Sequence, residues 1–130
     1  APTPLFSTDS NTDMAISEHA SGTRTAGTPP EAGFTALGTG GDTTDGIFQF
    51  FIDVSNLAGG ATPDSVEIQV LEKVLSSGTA RLVYEAVLIG AQDEPIWVSP
   101  SMIFMHSWTL QIKQTDGTAR TFDWSQRKIA

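Results

Sequence analysis

Few side chains in this 130-residue sequence have the types and spacing that catalysis demands. There are two histidines, His19 and His106, and no cysteine. The missing thiols remove disulfides, thiolate catalysis, cysteine-type zinc clusters and iron–sulfur centres together. A histidine works as a general base when a nucleophile lies within its reach. His19 falls in a polar segment whose spatial partners the sequence does not reveal. His106, two residues before Trp108, reads as a surface or half-buried side chain rather than a base. Neither a Gly-x-Ser-x-Gly elbow nor a His-Glu-x-x-His zinc helix occurs. Ser125-Gln126-Arg127-Lys128 matches Ser-x-x-Lys in form only, because the companion motifs of that enzyme class are missing. Glu67 and Glu72 stand an odd number of residues apart on one predicted strand. They point to opposite faces and cannot form a glycosidase-type carboxylate pair with each other.

The binding motifs are equally thin. Gly38-Thr39-Gly40-Gly41 is glycine-rich, but no Gly-Lys-Ser/Thr follows, so it reads as a flexible joint rather than a phosphate cradle. Asp42 and Asp45 are either Ca²⁺ ligands or solvated acids, and their spacing is not that of an EF-hand loop. Trp97, Trp108 and Trp124 offer either a sugar platform or core packing. Lys113, Arg120, Arg127 and Lys128 gather near the C-terminus, either to meet an acidic partner surface or to offset the net charge. No catalytic residue, cofactor or metal site is assigned, and the expectation is a protein that is not an enzyme.

Fifteen acidic against seven basic residues give a net charge of −8. Such a surface repels DNA, RNA and anionic lipid, so neither nucleic acid nor membrane is an expected partner. No run of 18 apolar residues suits a membrane-spanning helix. The opening APTPLFSTDS has neither a basic start nor an apolar stretch, so no signal peptide is expected in this form.

The elements that would position any site come in two compositions. Residues 1–45 contain ten Thr, and half of their twelve apolar residues are Ala. Burying so little apolar surface does not offset a backbone ordering cost of roughly 1–2 kcal/mol per residue. The segment therefore reads as an extended N-terminal arm, either a disordered tail or one that orders on a partner through Leu5, Phe6, Phe34 and Leu37. Residues 46–130 alternate as strands do. Phe48, Phe50, Ile52 and Val54 share one face. Val66, Ile68 and Val70 repeat the pattern, as do Trp108, Leu110 and Ile112. Ser76–Thr79 and Thr115–Gly117 mark hairpin turns, with Gly78 free to take a positive φ. Ser101–Ser107 is too short to assign by period. The predicted fold class is all-β, an antiparallel β-sandwich or jelly roll behind the arm.

One hairpin is apolar on both sides. If Leu75 and Ala80 flank its loop, one face collects Val66, Ile68, Val70, Val83, Val87 and Ile89. The other collects Leu71, Leu75, Leu82, Tyr84 and Leu88. A sheet with one wet face alternates apolar with polar. The second face is therefore covered either by the arm or a loop, or by another subunit.

The stretch from Val83 to Ala130 resembles small virion structural proteins of tailed bacteriophages. The residues that carry the likeness are Ala91-Gln92 through Val98-Ser99-Pro100, the Trp108…Lys113-Gln114-Thr115…Gly117-Thr118 hairpin, and Trp124-Ser125…Arg127-Lys128. With the Val66–Tyr84 hairpin the resemblance covers about half the chain. It implies a virion component made in a bacterial host's cytoplasm. Proteins of this kind often decorate or cement the head, as trimers bound to the major capsid protein or other virion proteins. The expected function is a non-enzymatic capsid decoration or cement protein. The alternatives are a carbohydrate-binding or adhesive module of a fibre or cell-surface protein, and a neck or tail component.

Overall fold

The computed structural model describes residues 15–129, and among these every regular element is a β-strand. The strands are β1 (Ile16–Thr25), β2 (Thr35–Ala36), β3 (Gly46–Asp53), β4 (Ser65–Lys73) and β5 (Ala80–Ile89). They continue with β6 (Ile96–Val98), β7 (Met102–Phe104), β8 (Trp108–Asp116) and β9 (Thr121–Ile129). One sheet has the order β1-β9-β3-β6, with β7 also paired to β3. The other runs β2-β8-β4-β5, and every pairing is antiparallel. Packed together they form the β-sandwich that the alternation predicts.

Period-two burial explains the strands. β3 buries Phe48, Phe50 and Ile52 and turns Ile47, Gln49, Phe51 and Asp53 outward. Val66, Ile68 and Val70 of β4 meet them from the second sheet, with Trp108, Leu110 and Ile112 of β8. Trp108 is the hub: its ring centroid lies 4.7 Å from Phe48 and 4.8 Å from Phe104. Ser101–Ser107 resolves into β7 and a bend in which Ser107 takes a φ of 21°.

The boundary expected at residue 45 does not separate an arm from the sandwich. β1 pairs with β9 from Ile16↔Ile129 to Thr25↔Thr121, and β2 pairs with β8. Leu37, expected to anchor on a partner, is 1% exposed in this chain's own core. Phe34 is half-buried, with the Lys113 ammonium 4.7 Å from its ring centre. The composition argument looked for buried apolar surface, and β1 has little. Its order comes from the backbone ladder of an edge strand and from side-chain pairs such as Thr23–Asp123 (2.6 Å). Leu5 and Phe6 lie outside the described residues.

The β4–β5 hairpin also differs from expectation. Lys73 pairs with Ala80, so the loop is Val74–Thr79, and Val66 pairs with Leu88 where Ile89 was expected. That shift of one residue turns over the side chains of β5 from Tyr84 to Ile89. Tyr84, Ala86 and Leu88 pack on the core, while Val83, Val87 and Ile89 are exposed. A bulge between Val70 and Leu71 then pairs Leu71 with Leu82, leaving Val83 as the extra residue. Of the residues assigned to the partner face, Leu71, Leu75 and Leu82 stay off the core, whereas Tyr84 and Leu88 belong to it. Gly78 does not take a positive φ. Its amide closes a turn on Leu75 O at 2.9 Å, and a Cβ there would stand 3.1 Å from that oxygen.

Candidate interaction surface

His19, Asp42, Glu31, Asp64 and Glu72 are engaged in holding strands and loops together. His19 Nε2 lies 2.7 Å from Asp42 Oδ2, with the imidazole edge-on to Phe48 at 5.2 Å. Asp42 Oδ1 also accepts from Thr44 N, and Thr44 O accepts from Trp108 Nε1. Burial of Asp42 opposes its charge, but the bonds from His19 and Thr44 outweigh that and hold its carboxyl below the usual range. The pair clips β1 to the Asp42–Thr44 loop. Among the described residues no group of three or more His, Asp or Glu side chains is placed to hold a metal ion. Glu72 accepts the amides of Met105 and His106, on the opposite side of β4 from Glu67, which pairs with Lys113 at 3.8 Å.

Glu31 and Asp64 are two dense carboxylate nodes. Burial pushes Glu31 toward neutrality, but Arg24, Gln114 N and Gly27 N overcome it and lower its pKa to about 2. Asp64 receives Ala58 N, Thr118 N and Arg120 Nε at 2.7–2.8 Å, joining the loop after β3 to the β8–β9 hairpin. The basic residues near the C-terminus are dispersed. Lys113 sits over Phe34 beside Glu67, Arg120 binds Asp64, and Arg127 lies 3.7 Å above the Phe51 ring. None of the three tryptophans is exposed: Trp108 is fully buried, and Trp97 and Trp124 are half-buried against the core.

The apolar surface is lopsided. Twelve large apolar side chains are exposed among the described residues, and ten lie on or beside the edge strands β5, β6 and β7. Four are on β5: Leu82, Val83, Val87 and Ile89. Val74 and Leu75 lie in its loop, Ile96 and Val98 on β6, and Ile103 and Met105 on and after β7. β5 is an edge of one sheet, and β6 and β7 form an edge of the other. Tyr84 and Trp97, with ring centroids 6.4 Å apart, join the two edges. β1, at the far edge of its sheet, exposes Ile16 at its start and otherwise Ser17, Glu18, Ser21, Thr23 and Thr25. Scattered apolar residues are ordinary on a surface, but a concentration of them along edge strands points to an interaction region.

Two features of the β1-β9-β3 sheet's outer face adjoin these strands. Ile16, Ile129, Ile47 and Ile103 stand abreast across four strands, with Ile103 77% exposed and Ile16 68%. Further along the strands, Phe51, Ile96 and Val98 line an open groove of about 490 Å³, whose charged residues are Glu18, Asp53, Asp123 and Arg127. Sequence reasoning missed both. The signal was present in Ile47-Phe48-Gln49-Phe50-Phe51-Ile52, where odd positions carry apolar residues as well as even ones. Comparison with protein-family models, with curated proteins and with solved structures yields no match.

Proposed function

We propose that this protein is a non-enzymatic structural component of a virion, a decoration or cement protein that binds and stabilises a capsid shell. The observation that carries the reading is the concentration of exposed apolar side chains on β5, β6, β7 and the loops beside them, against a β1 that is polar beyond Ile16. A cement protein works through apolar contacts to neighbours and needs no enclosed reaction site. The clips around Asp42, Glu31 and Asp64 fit a part built to hold its shape, with the polar groups committed to loops. The resemblance of Val83–Ala130 to phage virion proteins supplies the setting and the homo-oligomer, a trimer. Repetition on a symmetric shell multiplies contacts that are individually weak. An acidic surface keeps free subunits soluble and apart from a packaged genome.

The test is reconstruction of the virus particle by electron microscopy, together with the copy number of this chain relative to the shell protein. The expected result is hundreds of copies seated on the shell by β5, β6 and β7. A dozen copies at the neck or tail, or a particle lacking the chain, overturns the assignment. A Val87→Lys, Ile103→Lys double variant is expected to fold and fail to attach.

A further inference from the structure

The groove on the outer face of the first sheet has an unbalanced charge. Asp53 and Asp123 occupy the next position after the Ile52↔Trp124 pair, on neighbouring strands of the same face. Like charges side by side across a sheet repel unless something answers them. Each carboxylate is fixed through one oxygen. Asp53 Oδ1 accepts Ser55 N at 2.9 Å and Ser55 Oγ at 2.6 Å, and Asp123 Oδ1 accepts Thr23 Oγ1 at 2.6 Å. No described hydrogen bond uses the second oxygen of either. The groove's own cation does not answer them. Arg127 lies over Phe51 at 3.7 Å, and it forms no ion pair among the described residues, although Glu18 is its cross-strand neighbour.

We propose that this groove receives an extended basic segment of a protein partner, one arginine or lysine stem lying on Ile96 and Val98 with its charged head toward Asp53 and Asp123. Long basic side chains cover apolar surface with their stems while the head pairs with carboxylates. The stacking of Arg127 on Phe51 places a guanidinium in this groove already. The net charge of −8 draws a basic partner in from a distance. The inference rests on the proposed function for its setting, because β6 forms both the groove wall and part of the apolar surface that would meet the shell.

The probe is hexa-arginine amide, titrated at physiological salt into ¹⁵N-labelled protein. Amide shifts are expected to centre on Phe51, Ile96 and Ser125. Asp53→Asn with Asp123→Asn is expected to weaken binding about tenfold, the loss of one charge-assisted contact. Glu67→Gln with Glu85→Gln, which removes two charges from the other sheet, is expected to change it less than about twofold. Shifts spread over both sheets, equal losses in the two double variants, or equally tight binding of spermidine would each overturn the proposal. The titration needs no particle, so its failure removes the groove alone. Absence of the chain from particles removes the proposed function and leaves the titration standing.

Discussion

Gly22 and Trp124 stand opposite each other in the β1–β9 ladder, and the indole lies against the glycine. A Cβ at position 22 would be 3.0 Å from Trp124 Cζ2 and 3.2 Å from Cε2. The edge strand is thus seated on a flat ring, and a side chain there fits only if the ring or the strand gives by a few tenths of an ångström. Gly22→Val must displace either the indole or β1, at a cost of about 1–3 kcal/mol, and Gly22→Ala costs less. Urea unfolding followed by tryptophan emission checks this. A valine variant as stable as the parent would mean that β1 is not held there.

Asp64 is 2% exposed and satisfies three donors from two loops. Asp64→Ala strands the amides of Ala58 and Thr118 and leaves Arg120 unpaired, so a loss of about 2–4 kcal/mol is expected. Asp64→Asn, which keeps an acceptor, should lose less. Hydrogen exchange at Ala58 and Thr118 separates a local opening from a global loss.

Glu31 sets an acid limit. Its folded pKa of about 2 lies below the ordinary 4.5. Its contribution is therefore fully present above pH 4.5 and disappears as pH falls through 2. Such a shift corresponds to about 3 kcal/mol. Glu31→Gln should be less stable than the parent at pH 7 by about that amount, with the gap closing between pH 4.5 and 2. Denaturant midpoints at pH 7, 4 and 2.5 measure it. A gap independent of pH would show that the carboxylate's charge is not what matters.

Val87 and Ile103 are exposed, so either lysine substitution should leave stability within about 0.5 kcal/mol of the parent. Sedimentation of free protein should, however, register a smaller oligomer if these strands join subunits. Unchanged mass in both variants would direct attention to β1.

The inward faces of β3, β4 and β8 were legible because Phe48, Phe50, Ile52, Val66, Ile68, Val70, Trp108, Leu110 and Ile112 keep a strict period of two, and burial enforces that period. The facing of β5 was not. It is apolar at both odd and even positions, so only the loop length and the bulge at Val70/Leu71 choose its side, and neither is written in hydropathy. β1 was illegible for the opposite reason, since ISEHASGTRT has no apolar period and gains its place through the backbone. Leu37 was misread with it, because one isolated leucine among Thr and Gly looks the same whether it fills a core or reaches outward. The groove escaped notice because its acids come from β1, β3 and β9, which meet only in three dimensions.

The four isoleucines abreast on β1, β9, β3 and β7 carry a thermal consequence. A hydrocarbon row this wide gives up ordered solvent when something covers it, and that release loses force in the cold. Any contact made across the row should tighten from ice temperature to body warmth, with a negative heat-capacity change, and chilled preparations should come apart first.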